Sequence, residues 1–381
     1  MYGVGIIIMS AAVISLLLYS YLILRICYYW NKERSYENDK LSFNTKLSVI
    51  LAVRNEEKNI TKCLKCIENQ SYSDKLYEVI IIDDSSTDNT VNIIESFIKN
   101  SHLKMQLIEL DDNTEFGKKA AIKRGIEAAS GTLIVTTDGD SVMSEKWLSR
   151  IVAIYEEKKA KMIIAPVMML EKKSVFTWIQ ALEFSGLSIA TGGSAIQGSP
   201  IMSNGANMTY ERRAFYSVNG YRNDEKIASG DDVFLLHKFK NMFKNDIKYL
   251  KSIDATVYTT AQSNLRGFLH QRVRWVSKYS KYSDKQTKFT AFIVFITNIS
   301  LIISGIFGLC YWRFVEIFIL QFILKALIDF LLLFLAVTFF RKRKLLLVYF
   351  PTLLFEFIYT TIVVIWSIVV KEYKWKGRKV I

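Results

Sequence analysis

The chain has 381 residues and a mass of 44.0 kDa; 51% of it is hydrophobic, with 24 Phe, 20 Tyr and 7 Trp, which excludes a plain water-soluble protein. Its net charge of +14 is unevenly placed: residues 31–260 hold 31 basic and 31 acidic side chains, residues 261–288 hold 7 and 1, and residues 289–381 hold 11 and 4. Positive charge beside apolar segments suits anionic lipid headgroups, and the neutral middle excludes a nucleic-acid reader.

In chain order, Tyr2 to Leu24 carries no charge and is long enough to cross a bilayer as a helix. Arg25, Lys32 and Arg34 follow it, and neither a basic start nor a small-residue cleavage site is present. It reads as a retained anchor with its C-terminal end cytoplasmic. From there short apolar runs alternate with charged helical stretches. The runs KLSVILAVRN, YEVIIIDDSS, MQLIELDD and GTLIVTTDGD read as strands, and EEKNITKCLKCIENQ, TDNTVNIIESFIKN and GKKAAIKRGIEAAS as helices. Alternation with continuously apolar strands predicts a mostly parallel sheet covered on both faces. Beyond about residue 160 the pattern turns irregular, with a Gly/Ser-rich run at 192–205.

Near Leu265 the chain changes character. LRGFLHQRVRWVSKYSKYSDKQTK mixes bulky apolar and basic residues and predicts a helix at the membrane surface. Apolar blocks follow at Phe289–Trp312, Phe314–Phe340 and Leu345–Val370, with RKRK (341–344) between the last two. The expected organisation is an anchor at 1–30, an α/β domain at 31–260, an amphipathic helix at 261–288 and a membrane block of about three helices at 289–381. Four spans put RKRK inside but the basic tail KEYKWKGRK outside, against the positive-inside rule, so one segment is a candidate for a re-entrant or interfacial position. Lys325 and Asp329 stand at i,i+4 and are placed to pair on one helix face.

The polar loops after the strands are where such sheets take ligands. Asp138-Gly139-Asp140 ends the fourth strand: two hard carboxylates two residues apart suit Mg²⁺ or Mn²⁺, with substrate phosphates completing the shell, although turn and capping roles produce the same spacing. Asp83 and Asp84 end the second strand and Arg54-Asn55-Glu56 the first. Lys118 and Lys119 follow a glycine at a helix start, a place for phosphate or base contact or for a solvated charged cap. Asp231 and Asp232 precede an apolar helix, as caps or as a general base whose pKa mutual repulsion would raise. Gln271, Arg272, Arg274 and Trp275 crowd little more than one turn, fit for phosphate and sugar contact or for interfacial anchoring. Cys63 and Cys66 have metal-like spacing without a second pair and read as ordinary cysteines.

The order of AVRNEE, VIIIDDSSTDNT, GKKAAIKRGIEAASG, TTDGD, NGANMTYERRAF, SGDD and QRVRW, over roughly residues 47–275, resembles the membrane-integrated branch of the inverting family 2 glycosyltransferases. That branch includes ceramide glucosyltransferases and the hyaluronan and poly-N-acetylglucosamine synthases. The resemblance implies a GT-A, Rossmann-like domain in the cytoplasm, on an integral protein of the plasma (inner) membrane. It implies donor contacts from Arg54, Glu56, Asp83, Asp84, Lys118, Asp138 and Asp140, with Asp138 and Asp140 on Mg²⁺ or Mn²⁺. Asp232 matches the catalytic base. Asn204, Gly205, Asn207, Asp231, Gln271, Arg272, Arg274 and Trp275 fall in the acceptor and diphosphate region. Gly139 stands where Ala is usual in the family, and Lys119 where a small residue is common.

Two activities fit the resemblance. One is transfer from a nucleotide-diphosphate sugar, a UDP-sugar by resemblance, to a hydroxyl of a membrane lipid with a β-linked product. The other is processive synthesis and export of a β-linked polysaccharide, for which about three C-terminal spans are few unless a protein partner or second copy supplies more. The lipid reading is the one preferred.

Overall fold

The computed structural model describes residues 2–38, 44–111, 117–172, 174–222, 230–369, 373–375 and 378–380. In chain order it runs through α1 (Tyr2–Lys32), β1 (Leu47–Val53), α2 (Ile60–Glu68), β2 (Tyr77–Asp83), α3 (Thr90–Asn100), β3 (Met105–Glu109), α4 (Lys118–Ala128) and β4 (Leu133–Asp138). There follow β5 (Val142–Met143), α5 (Trp147–Lys158), β6 (Met162–Ile164), β7 (Val167–Leu170), α6 (Val175–Ile196), β8 (Met208–Glu211) and α7 (Arg212–Ser217). The last part holds α8 (Asp231–Phe243), β9 (Ile247–Tyr249), β10 (Val257–Thr260), α9 (Leu265–Val276), α10 (Lys285–Gly308), α11 (Trp312–Phe339) and α12 (Tyr349–Val369). Of the basic tail, only Tyr373–Trp375 and Arg378–Val380 are described, as paired antiparallel strands.

The chain divides into two units, residues 1–32, 171–193 and 262–371 in one, and residues 33–170, 194–261 and 372–381 in the other. The second is the α/β unit. Its main sheet has the order β3-β2-β1-β4-β8-β6-β9. The four strands read from the sequence are mutually parallel, and every residue of β2 is buried, as expected when helices cover both faces. β8 enters antiparallel between β4 and β6, so the sheet is mixed, not wholly parallel. A smaller sheet, β5-β10-β7, stands beside it.

A charge lies inside this core. Glu78 in β2 accepts hydrogen bonds from Ser48 Oγ (2.8 Å) and from Ser130 N and Oγ (both 2.7 Å), and pairs with Lys104 at 2.5 Å. Burial alone would raise its carboxyl, but these bonds hold it down at about 2.

The first unit is helical. Among the described residues, four helices are long and apolar enough to cross a membrane, at Ile8–Lys32, Lys285–Gly308, Trp312–Phe339 and Arg343–Ser367. α1, α10 and α11 pack on one another, while Leu17, Tyr21, Leu320 and Leu327 face outward, the pattern of integral-membrane helices. Their shared interior is polar in places. Lys325 meets Asp329 at 2.5 Å, Tyr19 donates to Asp329, and Gln321 reaches Ala12 O (3.2 Å) and Ser300 Oγ (3.1 Å). Such side chains gain a partner only within the bundle, which fixes its register.

Residues 175–193 of α6 also belong to this unit. The stretch falls in the irregular part of the expected 31–260 domain, because its glycines and serines interrupt the apolar period. The glycines are packing devices: a Cβ on Gly193 would lie 2.6 Å from Ile26 O of α1.

Candidate active site

The sheet order brings the acids together. β1 lies between β2 and β4, with Val53 opposite Asp83 and Ala52 opposite Asp138. The carboxyl ends of three neighbouring strands therefore open on one edge, where the strand order reverses and open α/β sheets bind their ligands. The turns leaving this edge are tight: Asn55 and Ser85 hold left-handed conformations at φ 52° and 56°. Asn55 Oδ1 accepts from Thr87 N at 2.8 Å, and Asn55 N donates to Ser86 Oγ at 2.9 Å, tying the two loops together.

The predicted residues divide by what they touch. Arg54 donates to the carbonyls of Asp84 and Ser85 and Glu56 accepts from Asn59 (2.8 Å), so both shape these loops. Asp83 accepts from Ser86 N at 2.8 Å. Asp84 accepts from Gly117 N at 2.9 Å, fastening the start of α4 to the end of β2. Asn207 is committed to the framework: its amide donates to Pro166 O (2.7 Å) and Ala255 O (2.8 Å) and accepts from Trp147 Nε1 (2.9 Å). Asn204 caps the following short turn through Ala206 N (3.0 Å).

Lys118 is the centre of the cluster. Its ammonium lies 2.6 Å from Asp138 Oδ1 and 3.5 Å from Asp231 Oδ2. Burial would lower its pKa, yet Asp138, Asp231 and then Asp232 together hold it above the usual lysine range. The repulsion expected between Asp231 and Asp232 is thus offset by a cation shared with the DGD acid. Asp232 accepts from Val233 N (2.7 Å) and Gly205 N (3.3 Å) at the first turn of α8. Lys119 is buried, its ammonium 4.8 Å above the Phe234 ring of α8, which gives this departure from the family pattern a packing role.

Asp140 is held from a direction that sequence reasoning did not supply. Its Oδ2 accepts from Thr259 Oγ1 (2.9 Å), Thr260 Oγ1 (2.7 Å) and Thr260 N (3.3 Å) of β10. Those threonines lie well over a hundred residues downstream, and no local pattern points to them.

Among the described residues, no group of three or more His, Cys, Asp or Glu side chains could hold a metal ion. The set that fits Mg²⁺ or Mn²⁺ is the carboxylate pair Asp138 and Asp140. Each keeps one oxygen, Oδ2 and Oδ1 respectively, outside the hydrogen bonds just described. Two protein carboxylates completed by substrate oxygens is an ordinary Mg²⁺ arrangement. Cys63 does not join them: burial first, then Cys66 and nearby acids, push its thiol well up, and its Sγ donates to Asp138 O at 3.5 Å.

Gly205 is required by closeness. A Cβ there would stand 2.7 Å from Asp231 Oδ2 and 3.3 Å from Lys118 Nζ. Both atoms end flexible side chains, so Gly205→Ala should leave the melting temperature within about 2–4 °C of wild type. The expected transfer activity should nevertheless fall about ten-fold or more, since a small misplacement of the Lys118–Asp231 cluster is costly. Thermal melting and transfer assays on the same preparation check both halves.

The QRVRW residues lie on α9 in the helical unit. Arg272 is buried and pairs with Glu183 at 2.7 Å. Its guanidinium lies 4.6 Å from the Phe268 ring and 4.3 Å from the Trp275 ring. Gln271 and Arg274, three apart, share a different strip of the same helix.

Comparison with known proteins agrees with this architecture. The profile described as Glycosyl transferase family 2 matches residues 48–218. A poly-beta-1,6-N-acetyl-D-glucosamine synthase of Staphylococcus epidermidis is 26% identical over 257 residues, 66% of this chain and 60% of that protein. A beta-monoglucosyldiacylglycerol synthase of Nostoc sp. is 27% identical over 249 residues, 64% of this chain and 51% of that one. The chain thus matches only half to three fifths of the length of these relatives. Among solved structures, the mannosyltransferase PcManGT from Pyrobaculum calidifontis, in complex with GDP-Man and Mn²⁺, aligns with a TM-score of 0.57 at 16% identity, covering 90% of this chain and 99% of that one. That likeness is one of fold. The sheet and the strand-end acids agree with that match: residues 48–218 resemble a glycosyl transferase family 2 domain, on a GT-A-like fold.

Proposed function

We propose that the protein is an inverting glycosyltransferase that moves a sugar from a nucleotide-diphosphate donor to a hydroxyl of a membrane lipid. The observation that carries this reading is the Lys118 ammonium shared between Asp138 at 2.6 Å and Asp231 at 3.5 Å. It joins one acid of DGD to one acid of GDD, which supports reading the two motifs as one centre.

In this reading Asp83 and Asp84 receive the nucleoside, with UDP the expected carrier, and Asp138 and Asp140 face the diphosphate. A divalent cation bound to Asp138 and Asp140 would offset the charge of the departing diphosphate. Asp232 takes the proton of the acceptor hydroxyl as its oxygen attacks the anomeric carbon from the side opposite the leaving group, which inverts the configuration. Lys118 keeps the facing carboxylates together and balances their charge. Gln271, Arg274 and Trp275 serve the diphosphate and acceptor.

A lipid acceptor is supported by four membrane-length helices and by similarity to an enzyme named for diacylglycerol glucosylation. The competing reading, a processive β-linked polymer, draws on the similarity to the poly-N-acetylglucosamine synthase. Transfer from a panel of radiolabelled nucleotide sugars, in membranes carrying the protein with Mg²⁺ or Mn²⁺, separates the two. A single organic-soluble product is expected; a size-heterogeneous, lipid-free product would replace the lipid reading with the polymer one. In the same assay Asp140→Ala should weaken metal-dependent donor binding about ten-fold, roughly the loss of one good charge-assisted contact. Unchanged binding across a Mn²⁺ titration would remove Asp140 from the metal.

A further inference from the structure

Two side chains one turn apart on helix α6, Gln180 and Glu183, hold the residues leading into α9 and α9 itself. Gln180 donates to Gln262 O (2.9 Å) and accepts from Gln262 N (3.0 Å), just before α9 begins. Glu183, on the same face, holds the Arg272 guanidinium at 2.7 Å, with both side chains nine-tenths or more buried. The second carboxylate oxygen of Glu183 accepts from the Tyr359 hydroxyl of α12. Arg272 in turn lies 4.3 Å from the Trp275 ring, and Phe184, the residue after Glu183, sets its ring 6.0 Å from the same indole. Phe268, Val273, Tyr359 and Val363 form the core beneath.

A buried ion pair of this kind contributes little net stability over an apolar replacement. What it supplies is direction: a planar guanidinium fixed by an acid holds an aromatic face in one orientation. Arg272 also differs from its neighbours Gln271 and Arg274 in being wholly enclosed, so it has no surface for a substrate. We infer that Glu183 is a positioning residue for sugar transfer, acting through Arg272 to set the Trp275 indole and the α9 strip that carries Gln271 and Arg274. This rests on the proposed role of that strip in transfer.

The test uses the full chain labelled with 5-fluorotryptophan, in which the Trp275 signal is identified by its loss in Trp275→Phe. Glu183→Gln should move or broaden the Trp275 resonance and lower kcat about ten- to a hundred-fold, with donor KM altered about two-fold or less. Glu183→Asp, which keeps the charge but withdraws it by one methylene, serves if the Gln variant does not fold, and should also shift the resonance. The pair Glu183→Leu with Arg272→Met removes the buried charges together and should fold while remaining slow. An unmoved Trp275 signal in the single variants, or recovered transfer in the double variant, would overturn the inference. Asp232→Asn separates the underlying reading: it should lower transfer about 10²–10⁴-fold with the Trp275 signal unmoved, whereas retained transfer there would refute the proposed chemistry and leave the positioning result standing.

Discussion

Asp232→Asn is expected to lower transfer by about 10²–10⁴-fold, the usual contribution of a general base, while donor binding stays close to wild type. The substitution preserves shape, and the amide oxygen still accepts from Val233 N, which the carboxylate does at 2.7 Å. What it removes is the ability to take a proton. The acids proposed to face the donor are untouched: Asp138 keeps Lys118 at 2.6 Å and Asp140 keeps its threonines. Transfer of label and calorimetric donor binding on one preparation measure the two quantities. Near-normal transfer would move the base elsewhere, with Asp231 the next acid to test.

Lys118→Met should have the second large effect, and a different one. Here the donor step fails: Asp138 and Asp231 lose the cation between them, and the acids are left to repel one another beside an incoming diphosphate. Donor affinity should fall about ten- to a hundred-fold, which corresponds to the roughly 1.5–3 kcal/mol carried by hydrogen bonds to charged groups. Stability should fall by a similar amount, because acids folded against a cation would be left without it. Lys118→Arg restores the charge on a larger, planar head beside Gly205, where only 3.3 Å separates Lys118 Nζ from a Cβ position, so partial rescue of stability with poor donor binding is expected. Wild-type donor affinity in Lys118→Met would show that the ammonium is only a structural counterion.

The features legible in the sequence were those carried by short spacing. Four apolar strands, each ending in acids or polar loops, implied a parallel sheet with a polar edge. The i,i+4 spacing of Lys325 and Asp329 implied the pair found at 2.5 Å. Long-range partners were not legible. Nothing near Asp140 announces Thr259 and Thr260, and nothing near Arg272 announces Glu183. Asn207, read as part of the acceptor region, proves to have its amide occupied by Pro166, Ala255 and Trp147; a motif string does not distinguish a residue that touches substrate from one that holds the loop. The helix at 175–196 is not legible for a related reason: glycines that read as breakers in isolation permit close approach once a neighbour is present.

The two units interleave along the chain. The helical unit is completed from residues 1–32, 171–193 and 262–371, and the α/β unit is interrupted by the middle piece. A fragment trimmed to residues 33–261, the natural choice for a water-soluble enzyme, would therefore keep an apolar helix whose partners α1, α9, α11 and α12 had been cut away. Gly186 and Gly193, fitted to Leu333 and Ile26, and the Glu183 carboxylate would all face solvent or another copy. During synthesis the order is equally constrained: the ribosome must finish the α/β unit around a hydrophobic segment that finds its last neighbours only when the C-terminal helices emerge. The helical unit is thus completed only by the last part of the chain, and aggregation of a 33–261 fragment would reflect the uncovered face of α6, not an unstable sheet.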